Sequence, residues 1–204
     1  LKVYLTITEC LPCSFASMIS ANILLNSLKN GDRKAMDEIF NTYWEFVFDA
    51  AFKKLGDEDV AQDITQEVFI SIWENRISLA IETNLHAYLY GAVRYRVINY
   101  FKAQAVRNGH QAEISYLMEQ QHVAGTDAKL VMEDADRAVE ADLAKLPERM
   151  RLVVQMSRRQ DRSVKEIAEE LDVSVQTVKN QITAAMKILR KDLSYTLLLA
   201  FLLS

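Results

Sequence analysis

Glycine and proline are scarce in this chain, with five glycines and two prolines among 204 residues. So few backbone punctuators leave little room for a turn-dense sandwich or barrel and favour long helices. Cysteine is nearly absent, Cys10 and Cys13 being the only two. A C-x-x-C pair supplies two thiolates rather than the four ligands of a structural zinc site. No histidine stands near enough in sequence to complete one. A redox pair would open a helix beside a strand pattern, which is missing here. Two reduced thiols in a leader segment are expected, with no metal and no cofactor.

Catalytic patterns are missing as well. His86, His110 and His122 are scattered without ligand spacing, and there is no phosphate-binding glycine loop and no nucleophile motif. Asp63 and Glu67 stand one helical turn apart, a spacing that in exposed carboxylates is ordinary surface far more often than a shared proton or metal site. No catalytic residue and no small-molecule substrate are expected. Long apolar runs are lacking too. The stretch from Tyr195 to Ser204 is apolar but ten residues long, whereas a membrane span needs roughly 20. Residues 1–20 have no positively charged start of the kind a secretory signal carries. Met18 precedes the first clear helix and is the expected native start. A cytoplasmic protein fits these absences.

What is present is apolar content and segregated charge. Half of the residues are hydrophobic, ample for buried cores. The net charge of −4 argues at first against a nucleic-acid binder, but its distribution does not. Residues 32–76 hold eleven acids and five bases, and 94–110 hold Arg94, Arg96, Lys102 and Arg107 with no acid. Residues 111–147 turn acidic again, and 148–191 hold ten bases against six acids. Two basic surfaces alternating with two acidic ones suit two DNA contacts and another partner, although solvated surface accounts for part of it.

The periodicity is helical throughout. A short helix over 22–30 stops at Gly31, and Asp32 is placed to cap the next one. There Ala35, Ile39, Tyr43, Phe46, Val47, Ala50 and Leu55 form an apolar stripe. Gly56 ends it and Asp57 caps a helix with Val60, Ile64, Val68, Ile72 and Trp73 on one side. The other side carries Asp59, Asp63, Gln66, Glu67 and Glu74. A polar connector, 75–84, leads to a helix over 85–106 in which Tyr88, Tyr90, Tyr95, Tyr100 and Phe101 interleave with bases from Arg94 onward. Tyr88 and Phe101 are expected in the core. Surplus aromatics beside guanidinium groups suit unpaired bases, each stacked base contributing about 1–3 kcal/mol.

The sharpest local signal lies between Ser163 and Lys191. Ser163 and Glu166 have the spacing of a capping box. Ile167, Ala168 and Leu171 give a short buried face, Asp172 and Val173 a turn, and Ser174 a second cap. Val175, Val178, Ile182, Ala185 and Leu189 then step by three and four, and the small Ala168 permits a close helix crossing. This is the plan of a helix-turn-helix. Asp172 stands where such turns commonly have glycine, and Asp tolerates the left-handed conformation better than most residues. Around the cap at Ser174, the outward face carries Gln176, Thr177, Lys179, Asn180, Thr183 and Lys187. These side chains and the helix N-terminus are suited to base edges and phosphates.

The expected architecture is all-α. Two small helical domains, 22–107 and 137–192, are joined by a flexible linker over 108–136. A leader, 1–21, precedes them and an apolar tail, 193–204, follows. Taken in order, Asn30-Gly31-Asp32, Leu55-Gly56-Asp57, Asp63 to Phe69, Trp73, Tyr88-Leu89-Tyr90 and Arg94 resemble an extracytoplasmic-function sigma factor of the sigma-70 family. So do Leu146-Pro147-Glu148-Arg149, Ser163 to Ala168 and Thr177 to Asn180. The resemblance spans about residues 22–192.

The resemblance implies that Asp63, Gln66 and Glu67 dock on the clamp helices of core RNA polymerase. It implies that Arg94, Tyr95, Arg96, Asn99 and Lys102 melt and read the −10 element of promoter DNA, while the connector 75–84 accepts a flipped base. The helix from Ser174 would read the −35 element, and the linker would run toward the RNA exit path. An inhibitory anti-sigma partner, in many relatives membrane-bound, is also implied. Tyr95 and Asn99 stand where the family often has Asn and Asp, so −10 preference does not carry over from a relative. The competing reading is a LuxR-like regulator, which Thr177 to Ile182 fits almost as well. A receiver domain, however, needs alternating strands, and residues 22–107 show no strand periodicity.

Overall fold

A computed structural model describes residues 23–79, 81, 84–109, 140–160 and 162–192. The leader with Cys10, Cys13 and Met18, nearly all of the linker with His110 and His122, and the apolar tail lie outside the described residues. Every bounded element among those described is a helix. The first unit holds α1 (Arg33–Leu55), α2 (Glu58–Glu74) and α3 (Leu85–Arg107). The second holds α4 (Glu148–Arg159), α5 (Val164–Glu170) and α6 (Val175–Asp192).

The predicted caps set the helix boundaries. Asp32 accepts from the Lys34 amide at 2.9 Å and Asp57 from Val60 at 3.2 Å, which satisfies amides that have no partner inside their helices. Between them Gly56 turns the chain with φ +61° while its amide donates to the Phe52 carbonyl at 2.7 Å. Only glycine enters that left-handed well at no steric cost. Asn84 opens α3 by accepting from Ala87 at 2.6 Å.

Burial follows the periodicity. Leu85, Leu89, Val93, Val97, Phe101 and Ala105 make one four-residue stripe along α3, all buried. They meet Ile39, Val47, Ala51 and Leu55 of α1 and Ile64, Val68 and Ile72 of α2. Fully burying aliphatic side chains of this size contributes about 1.5–3 kcal/mol each, and this packing holds the three helices together. Tyr88, expected in the core, lies only at its margin, whereas Phe101 is fully buried.

In the second unit α6 packs across both α4 and α5. Val153, Val154 and Met156 of α4, Ile167 and Ala168 of α5, and Val178, Ile182, Ala185, Met186 and Leu189 of α6 fill its core. Val175, expected on the buried face, is exposed instead. It lies in the first turn of α6 and lines a cleft with residues of α1 and the start of α5. The two units are not separate bodies. Their buried side chains form one continuous cluster, and Gly56 abuts Met186 so closely that a Cβ there would stand 2.6 Å from the Met186 Cβ.

Candidate nucleic-acid interface

The α5–turn–α6 segment is a helix-turn-helix in geometry as well as in pattern. Ser163 Oγ accepts from the Glu166 amide at 3.2 Å, and Glu166 Oε2 accepts from the Ser163 amide at 2.7 Å, completing the capping box. That bonding holds the Glu166 carboxyl below its ordinary value. Asp172 takes φ +51° in the turn, the left-handed conformation expected of it. Ser174 accepts from the Thr177 amide at 3.0 Å and its hydroxyl also meets the Thr177 hydroxyl. Gln176, Thr177, Asn180, Thr183 and Lys187 are exposed along α6. Gln176 donates to Asn180 at 3.0 Å, so the two side chains form one polar unit. Lys179 departs from the outward set. It turns toward the first unit, where its ammonium sits 2.7 Å from Glu58 with only 19% of the side chain exposed.

On α3, Arg94, Tyr95 and Asn99 are exposed, Tyr95 by 67%, while Lys102 is half-buried. An exposed phenol beside bases is the arrangement a stacked nucleobase requires. Arg96 is bonded rather than free. Its guanidinium holds the Glu67 carboxylate at 2.6 Å and the Glu67 carbonyl at 3.0 Å. At the start of the connector, Arg76 donates to the Trp73 carbonyl at 2.7 Å and lies over the Trp73 ring. Leu79 anchors the segment in the core, and Ile77 projects outward.

Asp63, Gln66 and Glu67 are all exposed on α2. Beside Gln66 lies an aromatic group that was missed in the sequence. Phe40, Trp44 and Phe69 pack together with ring centroids 4.7, 5.0 and 6.1 Å apart, the Trp44 and Phe69 rings stacked and Phe40 tilted against both. Phe40 and Phe69, with Met36, Gln66, Ile70, Trp73 and Glu74, bound a groove of about 410 Å³. The signal was present: Phe40 and Trp44 are four residues apart but fall outside the apolar stripe of α1, so one helix has two apolar faces.

A three-helix unit with an acidic helix beside a basic, aromatic one, followed by a helix-turn-helix, defines a two-part helical transcription factor. The family models agree: sigma-70 region 2 matches residues 39–107 and sigma-70 region 4 matches residues 136–189. The chain belongs to the sigma-70 family as a factor of the extracytoplasmic-function type.

Among its relatives is the ECF RNA polymerase sigma factor SigW of Bacillus subtilis. It is 27% identical over 83% of this chain and 94% of the relative. The ECF RNA polymerase sigma-E factor of Haemophilus influenzae is 22% identical over 87% of this chain and 97% of its own length. The RNA polymerase sigma-H factor of Pseudomonas aeruginosa is 22% identical over 83% and 92%. The chain is therefore a transcription initiation factor, which directs core RNA polymerase to promoters and is not an enzyme. The region 2 match in the first half sets aside the LuxR-like alternative.

Proposed function

We propose a division of labour among the named surfaces. Asp63, Gln66 and Glu67, together with the aromatic groove beside Gln66, dock on the clamp helices of core polymerase. Arg94, Tyr95, Arg96, Asn99 and Lys102 open and read the −10 element, with the connector 75–84 receiving the extruded base. Ser174, Gln176, Thr177, Lys179, Asn180, Thr183 and Lys187 read the −35 element in the major groove. The domain limits 22–107 and 137–192 correspond to these two tasks, with 108–136 as the spacer. The factor works in the cytoplasm and is held by an anti-sigma partner, membrane-bound in the manner of many relatives. Among the described residues no helix is long and apolar enough to cross a membrane.

One observation carries this reading. The polar, exposed N-terminal half of α6 stands on a fully capped helix-turn-helix frame, and such a helix enters the major groove by its first turns. The test is co-purification with core polymerase, followed by transcription of genomic fragments. Stable binding that confers start sites absent with core alone, lost on Asn180→Ala but not on the core-binding side, supports the division. Loss of core affinity in that same variant overturns it.

A further inference from the structure

We propose that Gln176 and Asn180 act as one base-reading unit, and that the base they select is an adenine of the −35 element. This rests on the proposal that α6 enters the major groove, and it adds which base the first turns of that helix are built to read.

Gln176, Asn180, Thr183 and Lys187 follow one another at steps of four, three and four, so they stand in a single row along α6. All four are exposed. Lys187 lies about three turns beyond Gln176, a position suited to a backbone phosphate rather than to the same base pair. Thr177 and Lys179, which neighbour the row, are engaged elsewhere. The Thr177 hydroxyl meets the Ser174 hydroxyl at 2.8 Å. The Lys179 ammonium pairs with Glu58 at 2.7 Å and lies over the Phe48 and Phe52 rings. The row therefore opens with two carboxamides.

Within that pair Gln176 Nε2 donates to Asn180 Oδ1 at 3.0 Å. The bond fixes the plane of the Asn180 amide. An amide oxygen has two lone pairs and its nitrogen two hydrogens, so a donor and an acceptor are still presented side by side. That matches adenine, whose major-groove edge carries the N7 acceptor beside the N6 amino donor. Guanine is read by paired bonds from Arg or Lys, and cytosine by Asp or Glu. From Ser174 to Ile182 there is no acid, and Lys179 is the single cation. Thymine offers one acceptor and a methyl group, which would use half of the amide. Adenine is the base that engages the whole unit.

The two residues have different parts. Asn180 touches the base, and Gln176 is a positioning residue that holds the Asn180 amide before DNA arrives. Ordering a side chain in advance removes a cost that binding would otherwise carry.

The test uses holoenzyme assembled with the full chain and a promoter that it transcribes, each −35 position being changed in turn to all four bases. One position should favour adenine about tenfold or more. Asn180→Ala should level that position and leave the others as they were. Asn180→Asp, an acceptor only, should move its preference toward cytosine. Gln176→Ala should reduce the adenine preference about two- to tenfold without changing the salt dependence. With the unaltered chain, 7-deazaadenine at that position lacks only the N7 acceptor and should lose most of the preference. That last measurement needs no variant, so a folding defect cannot imitate its result.

A levelled position that favours guanine, cytosine or thymine would overturn the inference. So would an Asn180→Ala variant that levels no position, full transcription with 7-deazaadenine, or an adenine preference that Gln176→Ala leaves intact. If no −35 substitution changes transcription at all, the reading of α6 itself fails, and that is a separate outcome.

Discussion

Arg96 on α3 grips Glu67 on α2 twice, at the carboxylate (2.6 Å) and at the main-chain carbonyl (3.0 Å). The pair joins two surfaces that the sequence assigned to different partners, Glu67 to polymerase and Arg96 to the −10 element. On the proposed division of labour, polymerase bound to the α2 face would act directly on a residue of the helix assigned to the −10 element.

Glu67→Gln should alter both tasks, and Asp63→Asn only one. Both carboxylates are exposed, but Asp63 has no recorded bond to α3. Glu67→Gln is expected to weaken core binding and also slow promoter opening, measured by permanganate reactivity at saturating core. Asp63→Asn should weaken core binding alone. Equal profiles for the two would show that the Arg96 link carries no function. In the free chain, a double-mutant cycle of Arg96→Ala with Glu67→Ala should give a coupling of about 0.2–1 kcal/mol, as for other exposed pairs.

Asn180 and Lys187 should separate specificity from electrostatics. Asn180 is exposed near the start of α6 and held by Gln176 at 3.0 Å. Its replacement by Ala should cost about 1–3 kcal/mol of discrimination between the correct and a mismatched −35 sequence. The salt dependence should stay unchanged. Lys187→Ala should weaken all duplexes alike and lower the salt slope by about one counterion. Competition titrations at several salt concentrations check both, and a sequence-selective loss at Lys187 would contradict the assignment.

Gly56 should be irreplaceable for two independent reasons. Its φ of +61° costs a non-glycine residue roughly 1–2 kcal/mol. A Cβ would also stand 2.6 Å from the Met186 Cβ, across the seam between the units. Gly56→Ala is expected to destabilise the chain by more than the backbone cost alone, measured by urea unfolding. In a Gly56→Ala, Met186→Gly double variant the two losses should not add, because removing the Met186 Cβ and the rest of its side chain makes room. Strict additivity would mean that the two residues do not meet in solution.

Much of this was legible before any coordinates, and the reason lies in its local character. Caps at Asp32, Asp57, Ser163 and Ser174 and the left-handed Asp172 all depend on neighbours within one turn, which periodicity and residue type report directly. The outward face of α6 followed from the same logic except at Lys179. That side chain turned inward because Glu58, Phe48 and Phe52 come from another unit, more than a hundred positions away in sequence. Met186 was missed although it continues the local stripe between Ile182 and Leu189; only its contact with Gly56 is distant in sequence. The helix α4 went unassigned because charge flanks its short apolar stripe: Arg149 and Arg151 precede Val153, Val154 and Met156, and Arg158 follows. Distant pairings between two units that could each fold on a local pattern leave no periodic trace.

Acid should tighten the seam before it loosens the helix-turn-helix, because two carboxylates at the start of α5 respond in opposite directions. Burial raises the Asp49 carboxyl above its ordinary 3.8, against the pull of Lys53 and the Val164 amide and with added repulsion from Glu45. Its contribution to the contact between the units is thus full below 3.8 and is lost as pH rises through the raised value. Glu166 is shifted the other way, held below 4.5 by the Ser163 amide and hydroxyl. The capping box is intact above 4.5 and is lost as pH falls through the depressed value. Lys165, raised by its bond to Glu45, stays charged throughout this range.

Lowering the pH from neutral toward the ordinary carboxylate range should therefore strengthen the packing between the units, read as pulsed electron resonance distances between labels at Gln62 and Glu169. Fraying of α5 should follow only at lower pH. Asp49→Asn keeps an acceptor for the Val164 amide but cannot titrate, so it should flatten the first response and leave the second. If the response to lowering the pH from neutral survives in Asp49→Asn, another group governs the contact between the units.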